Sequence, residues 1–567
     1  MPALSAPYHS AASQLTSAGA PFELIECLRN GHVMKAYKNA PQSLLAVLNQ
    51  GRQFGDTEFV RYGDSSHSFN QFFAQVDALR SALIRQHQIK KGDKVAIAMR
   101  NRPEWMIAFV AIIGCGAVAV PLNSWGREEE LCQGLDDSDA KVVICDWQRY
   151  LFIATKLATL HAIIVEPEGD CPAGASVWQL DDIQESPAPE ETCSGEDAAI
   201  MLFTSGTSGR PKGVLFDHFS ACQALFNIEF IGAATYMTNA AAMTAHMSSG
   251  VRAKTLLSVP LFHISGLYSQ FLINLKYGRA IHLMYKWDVN EAYRLLRDEG
   301  ITVLMGAPTM LLDLLQHPDI DKLDLSKVSN VSAGGAATPS TLADLYKNKL
   351  PNTLPGAGWG LTESGGTGSA FTGMLSAQFP GASGFLSPIL ETTFRDEAGA
   401  IVAEGEPGEI WIKSPTCIQS YATGDQSNSD FTEGWFKTGD VGYLNSEGML
   451  VLCDRVKDVI IRGGENVYPA EIENCLLSMP GCLEVAVFGL PSERYGEEVA
   501  AMIVCTSENA LNASDVQEHC KRHLANFKVP QTVIFSDQPL PRNATKKPLK
   551  RQIKQQYLAN QKANADA

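Results

Sequence analysis

A chain of 567 residues is too long for one hydrophobic core and predicts more than one domain. Its 45% hydrophobic and 19% charged residues are those of an ordinary globular protein. The formal net charge of −16 makes the whole molecule repel nucleic acid and anionic membrane, so an anionic small substrate would need a locally positive site.

Residues 1–20 are rich in Ala and Ser and lack both a basic start and an apolar run, so they show no signal peptide and are expected to be a disordered tail. Ser43–Asn49 and Phe69–Gln86 carry apolar residues at helical spacing, Lys94–Met99 reads as a strand, and Arg102-Pro103-Glu104 opens the next helix. Met106–Leu122 is the longest apolar stretch, but it contains Gly114, Gly116 and Pro121. It predicts a buried helix running into a strand and not a membrane span. Short apolar runs at Ala117–Pro121 and Lys141–Cys145 continue an alternation of strands and helices, which implies parallel sheets covered on both faces. Residues 166–196, acidic and proline-containing, read as surface connection. Thirteen scattered cysteines with no Cys-x-x-Cys pair fit a reducing compartment and argue against a disulfide framework or zinc site. The expected protein is soluble and cytoplasmic, with no transmembrane segment and no nucleic-acid partner; peripheral membrane contact and a homodimer are compatible with the sequence. Ala234–Lys254, with Met237, Met243 and Met247 among small residues, is either a mobile surface insertion or a pliable flap beside an apolar substrate.

The most informative stretch begins where the apolar run Ala198–Phe203, a buried strand, ends. There follow Thr204, Ser205, Gly206, Thr207, Ser208, Gly209, Arg210, Pro211, Lys212 and Gly213. Glycines let backbone N–H groups turn inward, hydroxyls add donors and the cations add charge, a combination that holds phosphate oxygens. It is not a Walker A loop, because Gly213 follows Lys212 where Ser or Thr would be needed. By composition alone an ordinary surface loop is the alternative. The order of residues, however, resembles the signature loop of the adenylate-forming superfamily, which comprises acyl- and aryl-CoA synthetases, beetle luciferases and peptide-synthetase adenylation domains.

Further stretches match that family in order. Pro260-Leu261-Phe262-His263-Ile264-Ser265-Gly266 resembles a motif whose aromatic or His, here His263, lines the carboxylate pocket and moves between steps. A strand running into Gly334-Gly335-Ala336 corresponds to the acyl pocket and adenine face. In Trp359-Gly360-Leu361-Thr362-Glu363-Ser364 the resemblance implies stacking on adenine for Trp359, phosphate contact for Thr362 and Mg²⁺ binding for Glu363; the family more often has Tyr at position 359. It implies ribose binding by Asp440, within Trp435–Tyr443, and by Arg455. Lys457 falls at the expected hinge, and Arg462-Gly463-Gly464 at a face along which the pantetheine arm of CoA passes. Near the end, Pro541-Arg542-Asn543-Ala544-Thr545-Lys546-Lys547 aligns Lys547 with the family's catalytic lysine, although Lys546 replaces the usual Gly.

The resemblance covers nearly the whole chain and implies an α/β protein. A large N-terminal domain of layered sheets and helices (21–456) would bind ATP and the acid. A small mobile α+β C-terminal domain (457–567) would bring the catalytic lysine. The implied reaction is ATP- and Mg²⁺-dependent conversion of a carboxylic acid to acyl-AMP and then, with coenzyme A, to acyl-CoA. Loading of a carrier-protein thiol is an alternative, although no carrier domain follows. No charged residue is apparent among the expected pocket positions, so the acid is expected to be apolar: a medium- or long-chain fatty acid by preference, or an aryl or steroid-derived acid.

Overall fold

The computed structural model describes residues 4–156, 160–171, 173–179, 187–204, 211–334, 340–350, 352–423, 429–506, 511–543 and 548–565. Among these, the main strands form three sheets of seven, fourteen and five members. In the first, Val118–Pro121, Lys94–Ala98, Val142–Asp146, His161–Val165 and Ala175–Val177 run parallel, and Ala198–Thr204 joins them before turning back as Lys212–Asp217. Val118–Pro121 and Val142–Asp146 are buried along their whole length. That is why they read as unbroken apolar runs: a parallel sheet is covered on both faces.

The predicted buried helix is Pro103–Gly114, in which every residue except Glu104 is buried. Pro103 occupies the first turn, where its missing N–H costs nothing. Gly116, at φ +66°, turns the chain into the strand Val118–Pro121. The helix Phe69–Arg85 is started by Ser68, whose hydroxyl accepts from the Gln71 N–H while Gln71 reaches back to the Ser68 N–H.

One expectation changes. Residues 6–16 are a helix and not a disordered tail. Tyr8, Ala11 and Leu15 share one face at helical spacing, and Tyr8 stacks on Phe385 with ring centroids 3.8 Å apart. The Ser5 N–H donates to Glu447 at 2.8 Å and ties the start of the helix down. The Met-rich segment is also helical: His218–Thr238 is followed by Ala240–Ser248, which has no buried residue.

The second sheet carries the parallel strands Lys254–Leu257, Ala280–Leu283, Val303–Gly306, Asn330–Ala333 and Leu354–Leu361, then an antiparallel extension that includes Gly366–Thr372, Trp435–Leu444 and Met449–Arg455. One short turn, Val456–Asp458, leads from its last strand into the five-stranded sheet, built on the long hairpin Cys482–Ser492 and Gly496–Cys505. Among the described residues no helix is long and apolar enough to cross a membrane.

Candidate active site

A cleft of about 2090 Å³ opens where the strand ends of the first two sheets meet the C-terminal unit. Its first wall is the hairpin Ala198–Thr204 and Lys212–Asp217, whose register sets Thr204 opposite Lys212. Ser205, Gly206, Thr207, Ser208 and Gly209 lie outside the described residues. The Thr204 hydroxyl is buried in this wall with no hydrogen-bond partner among the described residues. Lys212 Nζ stands 4.2 Å over the Tyr421 ring and 3.6 Å from Asp430.

The Tyr421 hydroxyl in turn donates to Glu363 Oε1 at 3.2 Å. Glu363 sits in the turn that follows the strand Leu354–Leu361, and the Ile418 N–H donates to its carbonyl at 3.0 Å. Burial pushes the Glu363 carboxyl above the usual carboxylate range, with the Tyr421 hydrogen bond acting against it. A carboxylate held in such a place is matched by a cation, and the residues present fit Mg²⁺ on phosphate oxygens. In the strand before it, Gly360 faces Gly366 so closely that a Cβ would lie 1.6 Å from the Gly366 carbonyl oxygen; only glycine permits that approach. Leu361 and Thr362 also line the cleft.

Asp440 is the best-fixed group. Trp359 Nε1 donates to one carboxylate oxygen at 2.8 Å and Arg455 Nε lies 3.0 Å from the other. Strand register sets Asp440 opposite Arg455, which is how residues fifteen positions apart meet. The Thr438 hydroxyl donates to the Ile410 carbonyl and accepts the Asp440 N–H at 3.1 Å, and Gly439 takes φ +68° between them. Trp359 is buried in a cluster with Leu390, Ile410 and Phe436, which fixes the ring that orients Asp440.

His263 lines the cleft just after Pro260 and leads into a helix, Ser265–Leu272, wound with π geometry. Such winding recurs at functional sites. Gly334, at the end of Asn330–Ala333, faces open space; Gly335 and Ala336 lie outside the described residues.

Arg462, Gly463 and Gly464 are not brought to this cleft. They form the tip of a hairpin with φ +61° and +89° at the glycines, and Arg462 covers the Tyr495 ring at 4.3 Å. Asn543 and Pro548 line the cleft instead, on either side of residues 544–547, which include Lys547 and lie outside the described residues. Lys550, also lining it, is half-buried in an ion pair with Glu473 at 2.8 Å. From the other unit, Asp454 accepts the Ala470 N–H at 2.8 Å and so caps the helix Pro469–Leu477.

Sequence reasoning passed over Tyr421 and Asp430, which stand in irregular backbone with no periodicity or motif to mark them. Glu229 and Arg279 also line the cleft, two charged residues that the sequence reading did not place there.

Residues 47–422 match the AMP-binding enzyme family and residues 471–547 match the AMP-binding enzyme C-terminal domain. The chain belongs to the AMP-binding enzyme family. The long-chain-fatty-acid–CoA ligase FadD13 of Mycobacterium tuberculosis is 33% identical over 509 residues, covering 88% of this chain and 95% of that one. A 2-succinylbenzoate–CoA ligase of Bacillus licheniformis is 31% identical, covering 88% and 96%. The solved o-succinylbenzoate CoA synthetase of Bacillus subtilis, in complex with its acyl-adenylate intermediate, superposes with a TM-score of 0.71 at 27% identity, covering 91% and 98%. This AMP-binding enzyme is accordingly an AMP-forming acid–CoA ligase that uses ATP, Mg²⁺ and coenzyme A on a small carboxylic acid.

Proposed function

We propose that this ligase binds ATP at the Thr204–Asp440 end of the cleft and an acid with an apolar body at the other, with a fatty acid as the reference substrate. The observation that carries the reading is the carboxylate of Asp440, oriented by Trp359 and Arg455 beside the cation-seeking Glu363. One carboxylate fixed on a strand suits the two hydroxyls of a ribose. Thr204, Lys212 and the intervening loop are assigned to the β- and γ-phosphates, Thr362 to phosphate, and Trp359, Gly334, Gly335 and Ala336 to the adenine and acyl walls. Mg²⁺ on Glu363 would neutralise charge gathering on the phosphates.

In the first step a carboxylate oxygen of the acid attacks the α-phosphorus, and pyrophosphate leaves with the electron pair of the broken P–O bond. No proton is transferred, so aimed charge is what the protein must supply. Lys547 is assigned to bridge the two reacting oxygens. In the second step the CoA thiolate attacks the acyl carbon and AMP leaves. The small unit would turn about Lys457, withdrawing Lys547 and bringing Arg462, Gly463 and Gly464 to the cleft, a hinge between two packed states. The placement of Asn543 and Pro548 in the cleft wall, with the Gly463–Gly464 hairpin away from it, supports reading this arrangement as the one for the first step. Thirteen free thiols support a reducing, cytoplasmic setting.

The test is CoA-dependent AMP release across a panel of acids, with the half-reactions measured separately. Lys547→Ala is expected to slow adenylation by on the order of a hundredfold while sparing thioester formation from supplied acyl-adenylate. Lys457→Pro should do the reverse. Equal loss of both steps in both variants would remove the two-state reading.

A further inference from the structure

The last strand of the second sheet, Met449–Arg455, ends in two charged residues that meet different partners. Successive side chains on a strand point to opposite sides. Arg455 reaches Asp440, 3.0 Å away, on the side assigned to the nucleotide. Asp454 reaches the small unit instead. One of its carboxylate oxygens accepts the Arg455 N–H at 2.8 Å, and the other accepts the Ala470 N–H, also at 2.8 Å. Ala470 stands in the first turn of the helix Pro469–Leu477, where unpaired N–H groups and the positive end of the helix favour a carboxylate.

The far side of this contact is braced. Glu473, one turn along the same helix, accepts the Val487 N–H at 2.8 Å from the strand Cys482–Ser492 and pairs with Lys550 at 2.8 Å. Lys550 follows Pro548 and Leu549, which line the cleft directly after residues 544–547. Burial raises the pKa of the Asp454 carboxyl, and the charge of Lys550 opposes that shift. The helix that Asp454 holds is therefore tied both to the sheet of the small unit and to the segment that follows Lys547.

Topology decides what the contact does. Asp454 lies before the short turn Val456–Asp458, and Ala470, sixteen residues on, lies after it. A turn of the small unit about Lys457 moves everything beyond the pivot relative to everything before it. A hydrogen bond that spans the pivot cannot survive a large rotation. It therefore favours one of the two arrangements alone, and a contact present in one state only sets the ratio of the two.

We infer that Asp454 is a positioning residue that latches the small unit in the arrangement used for adenylation, and that its hydrogen bond to Ala470 breaks before coenzyme A is engaged. The inference rests on the two-step hinge reading proposed above and adds to it the contact that holds the first state.

The experiment measures the two half-reactions separately. Adenylation is followed by pyrophosphate release, with the acid of the panel above that releases AMP fastest. Thioester formation is followed from the prepared adenylate of that acid over a range of CoA concentrations. With the latched arrangement in the majority, weakening it hardly lowers its own population but multiplies the minor one. A ligand that binds the minor state then gains apparent affinity in proportion. One hydrogen bond to a charged group is worth about tenfold or more in such a ratio. Asp454→Ala should accordingly raise kcat/KM for CoA by about tenfold while adenylation changes by less than about twofold. Asp454→Asn keeps one acceptor oxygen without the charge and should give a smaller rise, about threefold. Lys528→Met breaks the 2.6 Å pair with Glu471 on the same helix without crossing the pivot, and should leave both half-reactions as they are. Damage to the fold would slow both steps and could not produce a gain. A kcat/KM for CoA that is unchanged or lowered in both Asp454 variants would overturn the latch, as would an equal rise in Lys528→Met. Lys457→Pro separates this inference from the reading beneath it. If that variant slows both half-reactions equally, no turn occurs about this pivot and the hinge reading falls together with the latch. If it slows thioester formation alone while Asp454→Ala leaves the CoA step unmoved, the hinge stands and the latch fails.

Discussion

The two ends of one cleft are finished to different degrees. At the end assigned to the nucleotide, Asp440 is held by Trp359 on one oxygen and Arg455 on the other, Thr438 shapes its approach, and Tyr421 links Glu363 to Lys212. At the end assigned to the acid, Tyr277 and Arg279 stand exposed on the wall, and no ion pair holds Arg279 among the described residues. Groups fixed in advance suit a ligand part that never varies, and every reaction of an AMP-forming ligase uses the same nucleotide. Exposed side chains without a fixed partner can adjust to acids of different shape. Preorganisation and specificity are thus separated along the cleft.

Breaking the finished end should give the largest effect. Asp440→Ala leaves the Trp359 N–H without its acceptor and Arg455 without its carboxylate. Since Arg455 is part-exposed, the stability loss should be about 2 kcal/mol, below the range for fully buried pairs. kcat/KM for ATP in pyrophosphate exchange should fall by on the order of a hundredfold. The ranking of acids should not move. A changed ranking would mean that the two ends are coupled through Trp359.

This difference also explains what could be read from the chain. The nucleotide end is built from contiguous strings, such as Thr204–Lys212 and Trp359–Glu363, so local order betrays it. Asp440 and Arg455 meet by strand register, and a sequence reading can assign both without knowing that they touch. Tyr421 carries no such mark. The first helix was hidden because its apolar face consists of single residues, Tyr8, Ala11 and Leu15, in an Ala- and Ser-rich setting. At the acyl end the spacing Gln270–Ile273–Tyr277 was visible, but not the cleft it faces, because that depends on how the helix lies against His218–Thr238. The position of the Gly463–Gly464 hairpin depends on the packing of two separate sheets, which no local pattern encodes.

Acid should loosen the acyl end next. His282 lies in the strand Ala280–Leu283, opposite Leu256 and next in register to the Thr255 that holds Asn274. Burial pushes its pKa down to about 4 from an ordinary 6.5. The folded state therefore resists a proton that the unfolded chain accepts. The stability difference is absent above pH 6.5 and grows as pH falls from 6.5 toward 4, reaching on the order of 2–3 kcal/mol. Urea titrations across that range should show the loss in the wild type and a shallower slope in His282→Gln. Equal slopes would show that His282 is solvated and that the floor of the acyl end is more open than its burial implies.

Thr204 offers a smaller contrast within the finished end itself, for its buried hydroxyl is the group there that lacks a partner among the described residues. If it waits for phosphate, Thr204→Val should slow adenylation by about tenfold, the scale of one lost hydrogen bond to a charged group. The ligand-free protein should be no less stable, and more stable by up to about 1 kcal/mol, because an unmet polar group has been removed. Loss of stability together with activity would place the hydroxyl in a structural hydrogen bond.

The smallest effect tests the openness of the acyl end directly. Gly232 sits inside the helix His218–Thr238 and lines the cleft, and a Cβ built on it would meet nothing within 4 Å. Glycine in a helix interior costs about 0.5–1 kcal/mol relative to alanine, because its backbone loses more freedom on folding. With no steric charge against it, Gly232→Ala should raise stability by that amount and the melting temperature by about one to two degrees, with little change in the acids accepted. Gly232→Phe fills the same space with a ring and should shorten the range of acids while leaving pyrophosphate exchange with the shortest ones in place. If Gly232→Ala destabilises the enzyme, the space beside this helix is already filled and the acyl end is narrower than the cleft indicates. If alanine stabilises and phenylalanine leaves the longest acids unaffected, the acyl chain runs along the opposite wall, toward Val303 and Met310, and Gly232 serves only to let the helix pass.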